Sequence, residues 1–404
     1  MSLIGGFELV LSPVDGEAAI ADALTIEGSR VAGPWARSIQ DLHRVDNRTR
    51  LGRAVGQVSE AGTNQPMASV AVLGATGAVG REFLRLFEER RFPVGSLRLL
   101  ASARSAGQTM EFAGKQVTIE DAATFDWGGT DYAFFSAGAG RSREFAPAAM
   151  AAGATVVDNS SAFRMQPDVP LVVPEVNGHR LSPETRLVAN PNCTAAILVT
   201  AIAPIERKAR IARAIVSTYQ SASGGGAAMM EELRSQTEAV LQGHEPKPEI
   251  LPHPYAFNLF SHNTAIGPDG FNEEESKVMA ETRRMLERDD LRLNVTCVRV
   301  PVMRAHSESV TLEFEDDAPS EDEIRGWLAE APGVRVVDDR EANHFPMPCE
   351  ASGCDDVLVG RIRRDPSHPN SVLLFISGDQ LLKGAALNAV QIAEELLRLR
   401  ESAG

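Results

Sequence analysis

The stretch SVAVLGATGAVG, residues 69–80, decides how the chain folds. Residues 69–73 are an apolar run of strand length ending at Gly74, and REFLRLFEE at 81–89 sets Phe83, Leu86 and Phe87 on one helical face with Val79. A buried strand, a glycine turn and an amphipathic helix follow one another directly. Gly74, Gly77 and Gly80 let such a turn run tightly and approach a pyrophosphate, whose charge the helix N-terminus attracts. The spacing is G-x-x-G-x-x-G and not the usual G-x-G-x-x-G, so the triplet alone would equally suit a structural turn. Its place between strand and helix favours nucleotide binding.

Working outward, SLRLLAS supplies a second strand from Ser96, followed by ASARSAG. A site for NAD usually carries an acid about 20 residues past the glycines to hold the ribose hydroxyls, whereas a 2′-phosphate needs cations and hydroxyls. Ser102, Arg104 and Ser105 offer donors and one charge with no acid among them, which favours NADP over a merely solvated loop arginine. DYAFFSAG, ATVVDNS, PLVVPEV and RLVANP add short apolar runs between helical or turn-rich segments, as a mostly parallel α/β sheet requires. After Cys193 the pattern changes. LNVTCVRVPV, SVTLEFE and VLVGRIRRD alternate over longer runs and predict a mixed or antiparallel sheet, with helices from Ala227 and Glu273 beside it. The expected architecture is α/β: a Rossmann-like nucleotide-binding domain over 67–192 and an α+β domain with a mixed sheet over 193–378. The segment 379–404 places Ala386, Val390, Ala393 and Leu397 on one helical face and is expected to return to the first domain.

Composition narrows the function. With 404 residues, 43% of them hydrophobic, the chain has material for two packed cores. A net charge of −15 argues against nucleic acid or anionic membrane as partner, though local basic residues still allow a small anionic substrate. No apolar stretch reaches the length of a membrane span, the N-terminus lacks the order of a signal peptide, and a cytoplasmic location is expected. Cys193, Cys297, Cys349 and Cys354 are too few for a disulfide framework, and no second pair completes a metal site around the last two. Residues 1–66 contain no lysine and end in the loop-like EAGTNQP; they read as a poorly ordered extension, or as sequence upstream of the true start, with a regulatory appendage as the alternative.

Residues 187–196, LVANPNCTAA, break an apolar run at Asn-Pro-Asn, deliver one cysteine and pass into helix-forming residues. A thiol at a helix start is expected to have its pKa lowered from about 8.5 toward roughly 3.5 to 7.5, and the adjacent amides can hold an oxyanion. Cys193 is then a candidate nucleophile; a buried structural cysteine is the competing reading. A nucleophile beside a nicotinamide implies acyl transfer to sulfur coupled to hydride transfer at the same carbon.

GATGAVG, LASARSAG, SAGAG, DNSSAFR, PLVVPEVN, NPNCTA, YQSASGGG, VRVPVMRAHS, VGRIRRD and GDQLLKGAA occur in that order between Met67 and about Leu399. Together they resemble the aspartate-semialdehyde dehydrogenase family. The resemblance implies reduction of L-aspartyl 4-phosphate by NADPH to L-aspartate 4-semialdehyde and phosphate, on the route to lysine, methionine, threonine and isoleucine. It makes residues 193–378 a catalytic and dimerisation domain and implies a homodimer, with a tetramer as the alternative; residues 236–272, rich in proline and aromatics, suit such an interface and an exposed loop equally.

By the same resemblance Cys193 is the nucleophile, Gln220 orients the acyl group and His306 is the acid/base. Arg299 would grip the α-carboxylate, Glu274 the ammonium, and Lys277 and Arg164 the phosphate, with Asn192 a further substrate-binding residue. The cofactor set is Gly74, Thr76, Gly77, Ala78, Val79, Ser102, Arg104, Ser105, Asn159, Ser223, Gly224 and Gln380. Arg299 and His306 are seven residues apart, which on one flat strand would put them on opposite faces, so a bend near Pro301 is expected. N-acetyl-glutamyl-phosphate reductases carry His-Pro-Gly-Cys at the nucleophile turn and glyceraldehyde-3-phosphate dehydrogenases Ser-Cys-Thr-Thr-Asn; neither stretch occurs here. A catalytically silent NADP-binding paralogue should have lost the reactive centre, and these residues are all present.

Overall fold

The computed structural model describes residues 67–403, so the expectation for residues 1–66 lies outside the described residues. The first sheet contains β1 (Ala68–Leu73), β2 (Val94–Ala101), β3 (Thr109–Phe112), β4 (Lys115–Asp121), β5 (Tyr132–Phe135), β6 (Thr155–Asp158) and β7 (Leu187–Ala189). Their order is β3-β4-β2-β1-β5-β6-β7, parallel throughout except for the β3–β4 pair. The second sheet contains β8 (Ile211–Gln220), β9 (Phe260–Ser261), β10 (Arg292–Arg299), β11 (His306–Phe314), β12 (Val334–Val336), β13 (Val357–Arg364) and β14 (Ser371–Gly378). It runs β12-β13-β14-β11-β8-β10-β9 and is mixed, with β10 parallel and β11 antiparallel to β8.

The quoted stretch becomes β1, the glycine turn and α1 (Ala78–Glu89). Gly74 takes φ +90°, and a Cβ on Gly80 would stand 2.4 Å from the Gly74 carbonyl oxygen, so the outer two glycines serve the turn and the close seating of helix on strand. Phe83, Leu86 and Phe87 are buried as their spacing predicts, against Phe134 of β5 and Phe92. Each such side chain contributes about 2 kcal/mol through burial.

The longer helices that follow in this half and at its exit are α2 (Ala139–Ala151) and α3 (Cys193–Glu206). α3 is buried along almost its whole length, from Thr194 to Ile205, which is why its sequence is apolar on every side. It lies in the core shared by the two sheets. Beside the second sheet are α4 (Ala227–Leu241), α5 (Glu273–Leu286) and α6 (Glu321–Ala329). A π-helical stretch, Leu382–Ala386, then leads into α7 (Leu387–Ala403). Ala386, Val390 and Ala393 are fully buried with β1 and α1, and Leu397 packs at their edge. Lys383 in the π-helical stretch is buried in an ion pair with Glu175 and donates to Asn388 (3.1 Å) and Gln391 (2.8 Å). Breaking such a buried pair on one side costs about 3–5 kcal/mol.

Two local features depart from the expected pattern. PLVVPEV is not a strand: Leu171 alone bridges to Ala189, and the chain turns into a short helix at Pro174–Asn177. Proline has no N–H to give a ladder and its fixed φ suits a first helical turn. The β3–β4 hairpin lies in a stretch where no strand was expected. Its two-residue turn, Ala113 and Gly114, has φ of 49° and 73°, the backbone that such hairpins demand, and its one signal in the sequence is a glycine between two short alternating runs. No helix among the described residues is long and apolar enough to cross a membrane.

Candidate active site

A cleft of about 540 Å³ opens where the C-terminal ends of β1, β6 and β7 face the ends of β8 and β10 and the start of β11. Asn-Pro-Asn ends β7, and Asn192 caps α3 by accepting from the N–H groups of Thr194 (2.9 Å) and Ala195 (3.1 Å). Cys193 therefore occupies the first helical position and lines the cleft.

The expected bend between Arg299 and His306 proves to be a change of strand. β10 ends at Arg299, in register with Gln220 at the end of β8; β11 begins at His306 on the other side of β8. The link over residues 300–305 crosses the end of β8, held there by Val300 N–H to Gln220 O (3.1 Å), Ala222 N–H to Val302 O (2.8 Å) and Ser223 N–H to Met303 O (3.0 Å). Arg299, Gln220 and His306 thus reach the cleft from three adjacent strands, and Ala305, at φ +72°, makes the final turn.

The sulfur of Cys193 is 3.5 Å from Nε2 of His306. The backbone N–H of Ser221 donates to Nδ1 at 3.0 Å, so Nδ1 is an acceptor and the proton of the neutral ring lies on Nε2, facing the sulfur. Burial, then Arg299 and His262, holds this imidazole well below its ordinary pKa. Burial pushes the Cys193 thiol up to about 12, with Glu274 adding to the rise and Arg299 and Arg164 opposing it. This corrects the expectation of a depressed thiol pKa: desolvation and the Glu274 carboxylate outweigh the cations of Arg299 and Arg164. The resting pair is a neutral thiol facing an N–H.

The other candidate residues divide into those the cleft gathers and those it does not. Glu274 accepts from the Asn192 amide (2.9 Å) and the Gln220 amide (3.0 Å), and Gln220 also donates to Thr194 Oγ1 (2.8 Å), leaving its Oε1 unpaired. The side chain of Asn192 is spent on the helix cap and on Glu274. Glu274 is set by a capping box in which Asn272 and Glu275 exchange side-chain and backbone bonds at the start of α5. Lys277, one turn on, pairs with Glu273 at 2.6 Å and also lines the cleft. Arg164 reaches it from below, bound to Asn190 O (2.9 Å), Asn159 O (2.8 Å) and Glu281 (3.2 Å).

Gly77, Ala78, Val79, Asn159, Ser223, Gly224 and Gln380 line the same cleft. Gln380 accepts from Ala305 N–H (3.0 Å) and donates to Ser223 Oγ, so it ties the crossing link to the glycine turn after β8. Asn159 is different. Its buried Oδ1 and Nδ2 have no partner at all, beside a helix start whose N-cap, Gly77, offers no side chain. Such orphaned groups fit a polar dinucleotide. Thr76 lines a second hollow with Arg81, Arg85 and Gln108, and Ser102, Arg104 and Ser105 lie on the turn after β2, the neighbour of β1, outside the main cleft. Sequence reasoning missed His262, Glu281, Ser136, Ser161, Leu381 and Gly384. Gly384 packs directly on Cys193, where a Cβ would meet the cysteine Cβ at 2.8 Å. Glu281 has a trace in the sequence, seven residues after Glu274 on the same helical face; His262 sits in a stretch without period.

A dinucleotide-type sheet sharing its cleft with a cysteine–histidine pair is the arrangement of a dehydrogenase that works through a thiol. Models described as semialdehyde dehydrogenase, NAD binding domain, and semialdehyde dehydrogenase, dimerisation domain, match residues 69–183 and 202–383. The chain is 52% identical to the aspartate-semialdehyde dehydrogenase of Synechocystis sp., across 81% of this chain and 97% of that protein, and 44% identical to that of Bacillus subtilis, across 82% and 97%. The crystal structure of aspartate semialdehyde dehydrogenase II from Vibrio cholerae complexed with ASA superposes with a TM-score of 0.78 at 39% identity, over 82% of this chain and 99% of that one. The chain belongs to the aspartate-semialdehyde dehydrogenase family.

Proposed function

We propose that the protein reduces L-aspartyl 4-phosphate to L-aspartate 4-semialdehyde and phosphate with NADPH, through a thioester on Cys193, in the cytoplasmic synthesis of lysine, methionine, threonine and isoleucine. The observation that carries this reading is the 3.5 Å approach of Cys193 Sγ to His306 Nε2 in a cleft that also presents Arg299, Lys277 and the glycine turn. Arg299 receives the α-carboxylate, for which a planar fork is suited, and Glu274 the ammonium. Lys277 and Arg164 attract the phosphate. Sulfur attack forms the C–S bond and breaks the bond from carbon to the phosphate oxygen; the thiol proton leaves with phosphate. His306 presents Nε2–H where the carbonyl oxygen gains charge, and Gln220 steadies the acyl group.

Gly77 to Val79, Asn159, Ser223 and Gly224 would hold the dinucleotide, whose chemical contribution is the hydride. We place the domain limits at 67–192 with 379–404, and 193–378; the packing of α7 on the first sheet supports assigning the last segment to the first domain. A homodimer is supported by the sheet face bearing Tyr219 and Phe375 and by Ile250, Phe257, Leu259 and Ile266, which are exposed in this single chain. These last four fall within residues 236–272.

The purified protein, given aspartate semialdehyde and NADP, is expected to form NADPH only when phosphate is added; formation independent of phosphate, or none, overturns the reading. Arg104→Ala is expected to weaken NADP binding roughly tenfold or more while leaving NAD binding within about twofold, since only NADP carries the extra phosphate. Titration of each dinucleotide by fluorescence decides it, and equal weakening of both removes the argument for Ser102, Arg104 and Ser105.

A further inference from the structure

We infer that His262 is a positioning residue that holds the guanidinium of Arg299 ready for the substrate's carboxylate, an inference that rests on the role proposed above for Arg299. His262 follows β9, the two-residue edge strand that pairs with β10 at Val298↔Ser261 and Arg299↔Phe260. Its own N–H donates to Cys297 O at 2.9 Å, which continues the pairing and turns the imidazole toward Arg299. His262 is 7% exposed, and its Nε2 lies 2.7 Å from Nη2 of Arg299.

The chemistry of the two groups assigns the bond. A guanidinium has donors only and keeps its charge, so Nε2 must be the acceptor and the neutral ring carries its proton on Nδ1. Nδ1 faces Thr264 Oγ1 at 3.2 Å, and the same oxygen accepts from the N–H of Glu274 at 3.2 Å. One line of hydrogen bonds therefore runs from the start of α5 through Thr264 and His262 to Arg299. Burial and the neighbouring Arg299 bring the His262 pKa down to about 4, which keeps the ring an acceptor near neutrality. On its other side Arg299 donates from Nη1 to Ser221 O at 3.2 Å.

Two acceptors thus fix the guanidinium, and both are uncharged near neutral pH. A carboxylate in either place would neutralise the arginine and compete with the substrate; a neutral imidazole orients it without doing so. Nε of Arg299 is buried and has no partner, so donor capacity remains. The arginine is held but not satisfied. Its substrate need not supply the entropy of ordering a long side chain, and removing the acceptor should appear in substrate affinity more than in the chemical step.

The test uses the full-length enzyme, with kcat and KM for aspartate semialdehyde measured at saturating NADP and phosphate. His262→Leu is expected to raise KM roughly tenfold to a hundredfold, from the loss of one hydrogen bond to a charged group, with kcat within about threefold and KM for phosphate unchanged. His262→Gln places an amide oxygen where Nε2 stood and should return KM to within a few-fold of the parent. His262→Asn, one carbon shorter, should not. Should the leucine variant fail to fold, the contrast between glutamine and asparagine still decides. A parallel fall in kcat, rise in both KM values and drop in Tm, unrelieved by glutamine, would show that His262 merely supports the fold and overturns the inference. Arg299→Lys separates the two levels. Unchanged KM there defeats the role given to Arg299, whereas a raised KM beside an unaffected His262→Leu defeats only the role given to His262.

Discussion

Cys193→Ser is expected to lower turnover by on the order of 10^4-fold to 10^6-fold, because a hydroxyl in place of the thiol is far less acidic and far less nucleophilic toward an acyl phosphate. The same reasoning predicts a covalent species. Parent enzyme given aspartyl phosphate without NADPH should gain the mass of the acyl group, and digestion should place it on the peptide containing Cys193. Cys193 starts as a thiol raised to about 12 by burial, so the adduct should form only with a substrate whose leaving group can carry the proton away. An adduct on Cys297, Cys349 or Cys354, with the serine variant still active, would reduce the Asn-Pro-Asn-Cys turn to a junction between strand and helix.

For His306→Gln the expected loss in kcat is about 10^2-fold to 10^4-fold, the usual range for removing a proton donor, with KM for aspartate semialdehyde kept within a few-fold because Arg299 is untouched. The tautomer makes the prediction more specific. Ser221 N–H occupies Nδ1 and leaves the proton on Nε2, so the ring is arranged to donate before it accepts. The glutamine variant should therefore still form the acyl adduct, and the adduct should persist when NADPH is present. Rapid quenching followed by mass measurement distinguishes the cases: loss of the adduct itself would mean that His306 serves as the base for sulfur attack.

How legible each feature is in the amino-acid sequence depends on the range of the interactions that make it. β1, the glycine turn and α1 are local, and their apolar spacing and glycines suffice. The start of α3 at Cys193 is equally local, since an asparagine cap and a proline announce it. The placing of Arg299 and His306 on either side of Gln220 is hidden because it depends on strand order, and both β10 and β11 choose β8, far back in the chain, over each other. The protonation of Cys193 escapes the sequence for a related reason. The helix terminus is visible there, but the burial by Gly384 and its neighbours and the charge of Glu274, which together raise the thiol, arrive from elsewhere. His262 has no periodic signal, and its meaning lies wholly in one long-range pairing of β9 with β10.

The return of the last segment to the first sheet bears on how the protein is made. The strands β1 to β7 leave the ribosome before the second sheet, yet Leu387, Val390, Ile392, Ala393 and Leu396 fill the core beside them and leave after it. Glu175 is translated early and meets Lys383 only near the end. During synthesis of the whole second sheet, an apolar face of the first stays without its cover, and Cys193 lacks the Gly384 that will pack on it. The nucleotide-binding half therefore cannot mature as a finished unit ahead of its successor, contrary to the usual N-terminal-first order of domain folding. Both halves are completed by the same late turns of helix, and until those turns emerge that apolar face of the first sheet lies open.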